Sequence, residues 1–250
     1  MSEDHRAISQ MRAITISREY GSGGGEIAKR LAKRLGWRLV DHEAVEQVAE
    51  QLGVTEEEAA AHDEQVEGLI SRILYSMQTI EPVGYVNVTA TAPFTANPRV
   101  YRDALERVVT AVASAGNVVI VGRGAQVILA HQRDVLHVRI VAPLEQRIPY
   151  VMRREGLDQD TARRRIQSKD RDRDRYLQRE YHRHPEDPHL YDLVLNTNII
   201  ELDGIVDLIC LGLEHKSRRL SIPDLELGPG MGLPRYPTQP GDFRLPESTK

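Results

Sequence analysis

The stretch Ala13-Ile14-Thr15-Ile16-Ser17-Arg18-Glu19-Tyr20-Gly21-Ser22-Gly23-Gly24-Gly25-Glu26-Ile27-Ala28-Lys29-Arg30-Leu31-Ala32-Lys33-Arg34-Leu35-Gly36 decides the fold. Its first five residues are β-branched or small and read as a short buried strand. A glycine-rich loop follows. From Glu26 to Leu35 the apolar residues Ile27, Leu31 and Leu35 share one helical face, and Gly36 stops the helix. Arg38-Leu39-Val40 is a second short strand, ending at Asp41. Strand, glycine loop, helix and strand make a βαβ unit, which demands a parallel sheet.

Further along, helices are expected at about 43–52, 55–62 and 66–78, then an irregular insertion from Glu81 to Pro98. Arg99 to Ala115 carries Val100, Ala104, Val108 and Val112 at a spacing of four and reads as a helix. Val118-Val119-Ile120-Val121 is wholly apolar, as a central parallel strand would be, and stops at Gly122-Arg123-Gly124. Val135 to Val141 is another strand, and Pro143 opens a basic helical region running to Asp174. Leu193-Val194-Leu195 is a last strand, followed by a helix from Glu201 to about Lys216. From Ser221 to Lys250, six prolines and four glycines fall in 30 residues, and an extended or disordered tail is expected. The whole reads as α/β, a sheet of about five parallel strands between helices.

The chain has 250 residues with 40% apolar and 28% charged side chains, which suits a globular core and excludes a disordered or collagen-like chain. A lone cysteine, Cys210, excludes an internal disulfide, no apolar run reaches the length of a membrane span, and the first residues lack a signal-peptide core. A cytoplasmic protein without membrane contact is the expectation. The net charge of −4 is unevenly spread: residues 41–70 hold ten acidic and no basic residues. Residues 139–183 hold thirteen basic against eight acidic. Of the 33 basic residues 28 are arginine, the side chain suited to bidentate phosphate binding. A basic strip in a mildly acidic chain points to a local anionic ligand rather than to nucleic acid; a solvated helix face is the plain alternative.

Ligands of such sheets sit beyond the carboxyl ends of the strands. There the successive glycines let amides and a helix N-terminus face a phosphate. Matching Gly23 to the second glycine of the phosphate loop G-x-x-x-x-G-K-[ST] puts Gly24 where the lysine belongs and Gly25 where Ser or Thr would hold Mg²⁺. A cation from elsewhere, Arg18 or an arginine of the basic strip, has to stand in. Arg123, between two glycines after the central strand, suits a phosphate. In Lys169-Asp170-Arg171-Asp172-Arg173-Asp174-Arg175-Tyr176 the charges pair along a helix, as on a solvated face or on a flap bringing arginines over phosphates. The nine histidines show no metal-ligand spacing, and neither Ser17 nor Ser22 has a triad partner.

These features in this order resemble the cytidylate kinase-like branch of the nucleoside monophosphate kinases. The matching residues are I-T-I-S-R-E-Y-G-S-G-G-G-E-I-A from Ile14, L-V-D-H-E from Leu39, V-I-V-G-R-G from Val119, the D-x-x-R-x-x-Y of Asp170, Arg173 and Tyr176, and Y-D-L-V-L-N-T from Tyr191. The resemblance implies a P-loop NTPase-type three-layer α/β/α domain over 1–220. Within it fall a helical acceptor-binding insertion at about 43–98 and a lid at about 156–190. It implies ATP and Mg²⁺ as cofactors and CMP or dCMP as phosphoryl acceptor, and it leaves the oligomeric state open. Arg18, Gly21, Ser22, Gly23, Gly24, Gly25 and Glu26 would hold the donor. Asp41, Arg102, Arg123 and Asp172 would meet the acceptor, Arg102 standing 21 residues before Arg123 as in cytidylate kinases. Arg171, Arg173 and Arg175 match the lid's R-D-R-x-R and would act on the transferring phosphoryl group. Where cytidylate kinases carry an Asp that reads cytosine, this chain has Gly124. Two rival readings stay open: a regulatory nucleotide-binding module with little turnover, and a kinase for another small phosphate acceptor.

Overall fold

The computed structural model describes residues 8, 10–41 and 98–228. Five strands form one parallel sheet: β1 (Ala13–Arg18), β2 (Arg38–Val40), β3 (Val118–Val121), β4 (Val135–Val141) and β5 (Leu193–Asn196), in the spatial order β2-β3-β1-β4-β5. The strands stand where the hydrophobic pattern puts them, within a residue at each end. The helices are α1 (Gly24–Leu35), α2 (Pro98–Ser114), the single turn α3 (Ala125–Ile128), α4 (Leu144–Glu155), α5 (Gln159–Tyr181) and α6 (Leu202–Ser217). The helices expected over 43–78 and the insertion to Pro98 lie outside the described residues.

β1 is the middle strand, paired with β3 from Ala13↔Val118 and with β4 from Ala13↔Val135. Strand side chains alternate between faces. Ile14, Ile16, Val119, Val121, Leu136, Val138 and Ile140 therefore pack on one side against Ile27 and Leu31 of α1 and Ile205 and Ile209 of α6. Ala13, Val118, Ile120 and Val135 pack on the other side against Leu105, Val108 and Val112 of α2. This is a three-layer α/β/α domain. A third small core, Ile148 and Val151 with Ala162 and Ile166, holds α4 to α5 and extends to Tyr20 of the glycine loop.

The basic region expected as one mostly helical run is two helices. Gly156 closes α4 with φ 67°, a left-handed cap that glycine adopts without strain, and Asp158 caps α5 by accepting from the Thr161 amide. The start of the proline-rich tail is held in place: Arg133 donates to the carbonyls of Arg219 and Ile222 and pairs with Asp224 at 2.9 Å. A 3₁₀ turn, Asp224–Glu226, forms there, because one guanidinium collects three acceptors from the same short segment. The rest of the tail lies outside the described residues. Among the described residues no helix is long and apolar enough to cross a membrane.

On the α2 face, β1 and β4 also carry a polar stripe. The buried Thr15 hydroxyl meets His137 Nδ1 at 2.8 Å, and the His137 amide donates to Asp192, which pairs with Lys216. Burial, with Lys216 behind it, pulls the His137 imidazole down to about 4. The folded state thus resists a proton that the unfolded chain accepts near pH 6.5, so stability is lost as the pH falls from there towards 4. Taking the protein from pH 7.5 to 5 should cost about 2 kcal/mol through this residue. Urea midpoints of wild type and His137→Asn across that range check it, the variant showing the flatter profile.

Candidate functional site

β1 ends at Arg18, and the chain turns through Glu19–Gly23 into α1. Gly21 and Gly23 have φ 82° and 81°, values a side chain would strain, and Gly23 is the N-cap. The loop thereby places the start of α1 over the carboxyl ends of the central strands. A Cβ at Gly24 would lie 2.8 Å from Arg18 Cβ and 3.1 Å from Arg18 Cδ. The Arg18 side chain thus fills the place where a lysine at residue 24 would start. Nothing lies within 4 Å of a Cβ built on Gly25.

Arg18 is one of several arginines brought together here. Burial lowers its pKa to about 10, and Arg173, Arg154 and Arg123 push the same way, against Asp41. Arg173 of α5 is also lowered, first by burial, with Arg139 and Arg147 adding repulsion and Asp170 opposing. Its guanidinium donates to the Arg18 carbonyl at 3.2 Å and stands 5.4 Å over the Tyr20 ring. Arg139, buried on β4, reaches Ser17 and the Tyr191 ring. Five chain segments, β1, the turn after β3, β4, α4 and α5, therefore contribute cations to one end of the sheet.

Arg123 sits in an unusual turn. Gly122, Arg123 and Gly124 have φ 84°, 53° and 69°, three left-handed residues in a row. A non-glycine residue in this region costs energy and is typical of constrained sites. The turn carries the Arg123 guanidinium to 5.5 Å above the Tyr176 ring of α5. Tyr176 meets Tyr181 edge to face, with centroids 6.3 Å apart. Burial holds the Tyr181 hydroxyl well above the ordinary tyrosine range. The Tyr181 ring packs close against Gly124: a Cβ there would be 2.6 Å from Tyr181 Cε2.

The expected site residues separate into groups. Arg18, Asp41, Arg123 and Arg173 come together, with Gly21, Gly23, Gly24 and Gly25 beside them. Ser22 is buried and its hydroxyl is held by the Glu19 and Ile140 carbonyls, while the Glu26 carboxylate pairs with Arg30 on its own helix. Arg102 is near Asp103 and Glu106 of α2, at 3.9 and 3.8 Å. Asp172 and Arg175 are exposed and line an open groove of about 520 Å³ with Tyr176 and Arg179. Because Tyr176 also carries Arg123, that groove adjoins the Gly-Arg-Gly turn. Arg171 is exposed on α5 and makes no hydrogen bond or ion pair among the described residues. Sequence reasoning missed Glu19, Tyr20, Arg147, Arg154 and Tyr181. Only their neighbours in the chain hinted at them, since each owes its place to contacts across the fold.

Residues 13–199 match the cytidylate kinase-like family. The chain belongs to that family. A cytidylate kinase from Ignicoccus hospitalis is 27% identical over 200 residues, covering 80% of this chain and 97% of that protein. A cytidylate kinase from Methanopyrus kandleri is 37% identical over 94 residues, 34% of this chain and 49% of that protein. A uronate isomerase from Corynebacterium glutamicum shares 30% identity over 123 residues, but only 23% of its own length is covered. The chain thus spans about half or less of two of these curated relatives. An uncharacterised protein from Eubacterium ventriosum superposes with a TM-score of 0.59 at 21% identity, over 81% of this chain and 98% of that one, and so shares its fold. Family and sheet together define a P-loop kinase-type α/β domain.

The packing at Gly124 is open to test. Gly124→Ala must accept both a left-handed backbone and displacement of Tyr181, and should destabilise by about 1–3 kcal/mol. Gly25→Ala, helical and unhindered, should instead stabilise by about 0.5–1 kcal/mol. Chemical denaturation of the two variants beside wild type measures both.

Proposed function

We propose that this protein transfers the γ-phosphoryl group of ATP to a nucleoside monophosphate, with CMP or dCMP as the expected acceptor. The observation that carries the reading is the crowding of Arg18, Arg123, Arg154 and Arg173 at the glycine loop, where burial and repulsion from neighbouring arginines disfavour the charges of Arg18 and Arg173. Such a cluster costs stability unless an anion completes it, and perturbed groups of this kind gather at functional sites. A polyphosphate supplies the missing charge. Family membership supports a nucleotide as that polyphosphate.

The roles follow from position. The amides at Gly23–Glu26, at the N-terminus of α1, face the donor phosphates. Arg18 replaces the absent loop lysine, because its side chain already fills the space over Gly24. Arg123, held by its left-handed turn, grips the acceptor phosphate. Arg173, reaching down from α5, meets the charge that spreads over the transferring group. Phosphoryl transfer needs little more than such positioning and charge, with no covalent intermediate. The described residues form no all-protein cage for Mg²⁺. Among the described residues no three His, Cys, Asp or Glu side chains converge, and the Ser22 hydroxyl is committed to two carbonyls. A Mg²⁺ in the reaction would keep phosphate and water ligands, and no step is assigned to it.

Two observations support the rival readings. The missing loop hydroxyl favours a regulatory nucleotide-binding module with little turnover. Tyr181 lying on Gly124 favours a different small phosphate acceptor, since a ring stands where a side chain could have read a base. A coupled assay of ADP release with ATP, Mg²⁺ and CMP, dCMP, UMP, AMP or GMP separates them. The proposal expects ADP with CMP or dCMP. ADP with none of the five, from protein that binds ATP by calorimetry, would put the regulatory module in its place. Within the active enzyme, Arg123→Ala should raise the acceptor KM about tenfold or more. Arg173→Ala should lower kcat by about 10²-fold or more while weakening ATP binding far less, since its contact matters most in the transition state. Arg18→Ala should instead weaken ATP binding itself.

A further inference from the structure

The two halves of the glycine loop are held differently. In the first half, the Arg18 carbonyl accepts from Arg173 and the Tyr20 amide donates to Asp170 Oδ1 at 2.7 Å. The Tyr20 carbonyl accepts from Arg147 at 3.1 Å, and the Tyr20 hydroxyl donates to Glu155. Gly21 backs onto α4, a Cβ there falling 2.8 Å from Val151 Cγ2 and 3.3 Å from Arg147 Cβ. All these contacts come from α4 and α5. In the second half, the Gly23, Gly24, Gly25 and Glu26 amides donate to no backbone acceptor outside the helix among the described residues.

Asp170 stands at the centre of the first half. One carboxylate oxygen takes the Tyr20 amide, and the other takes Arg147 Nη1 at 2.5 Å. Arg147 has only 9% of its side chain exposed, and its Nε lies 3.8 Å from Glu19, beyond hydrogen-bond reach. Glu19 in turn accepts from the Ala142 amide at the end of β4. Asp170 is therefore the closest counter-charge of a buried guanidinium and the acceptor for a loop amide at once. On its own helix the carboxylate also lies 3.7 Å from Arg173, a longer contact than those it makes to Arg147 and the Tyr20 amide.

We propose that Asp170 is a positioning residue for the glycine loop: through the Tyr20 amide and Arg147 it locks Arg18–Gly21 against the lid helices, leaving the amides from Gly23 onward to receive phosphate. The consequence for ATP rests on the donor-site reading above; the latch itself does not. A buried guanidinium deprived of its close partner relaxes, and Arg147 carries the Tyr20 carbonyl with it. Loop geometry would then loosen with no residue of the ligand-facing half altered. The opposite possibility is that the carboxylate occupies a place a phosphate would take, in which case its removal frees the site.

The test is amide hydrogen exchange on the nucleotide-free full chain, with ATP binding by calorimetry. In Asp170→Ala the Tyr20 amide should exchange at least tenfold faster than in wild type, with the β1 amides Ile14–Ser17 unchanged. ATP affinity should fall tenfold or more. Asp170→Asn keeps an acceptor for the amide but removes the negative charge facing Arg147, and should lie between; it carries the test if the alanine variant does not fold. Asp160→Asn, exposed on the first turn of the same helix, should change neither readout. Unchanged Tyr20 exchange in both Asp170 variants would overturn the latch. Tighter ATP binding on removal would overturn it in favour of a phosphate-mimicking carboxylate. Wild type that binds no ATP, while Tyr20 exchange still responds to Asp170, would remove the donor-site reading and leave the latch standing.

Discussion

A single buried guanidinium, that of Arg147, ties together the parts on which everything else at this end of the molecule depends. It lies between Asp170 of α5, the Tyr20 carbonyl of the loop and, more loosely, Glu19, which is bonded to the end of β4. A charge this deep is tolerated only with close partners, and removing one leaves the others exposed to its full cost. That constraint fixes the distance between α5 and the loop. It also fixes where Arg173 points, because Arg173 lies one helical turn beyond Asp170 and reaches the Arg18 carbonyl from there.

With α5 placed, the arginines meet. Arg18 comes from the central strand, Arg123 from the turn after β3, and Arg173 from α5. No segment carries the cluster alone, and the favourable terms elsewhere in the fold have to offset its repulsion. The apolar cores on the two sheet faces and the small α4–α5 core supply them. The site is thus a region of stored electrostatic tension mounted on a conventionally packed domain, which is the pattern expected where a polyanion binds. Tyr176 and Tyr181 extend the same logic to the neighbouring turn: α5 ends on Gly124, and Tyr176 carries Arg123.

Much of this was legible in the chain before any coordinates. The strands were readable because buried parallel strands are short, β-branched and bounded by glycine, as in Val118–Val121 before Gly122. The caps at Gly36 and the turn around Arg123 were readable because only glycine enters left-handed backbone freely. The lid helix was less legible. Its alternating Arg and Asp residues offer two faces of similar composition, and charge pattern alone does not say which one turns inward. The structure turns Asp170, Arg173 and Leu177 towards the protein and leaves Arg171 in solvent. The mostly helical basic stretch expected over 147–174 divides at Gly156, where a left-handed cap and the Asp158 N-cap start a second helix.

What the sequence determined by itself is the set of elements, their parallel arrangement, the family, and a phosphate-type loop without lysine. These are local properties, set by periodicity, by glycine's conformational freedom and by residue types at fixed spacing. What only the tertiary structure decided is how the lysine's place is filled and which carboxylate holds the loop. Arg18 covers Gly24 because β1 and α1 fold back on each other across a tight turn. Asp170 reaches Tyr20, 150 residues away in the chain, because the α4–α5 core sets α5 beside the loop. Contacts at such separations leave no periodic trace in a single sequence; they exist only once burial has brought the segments together.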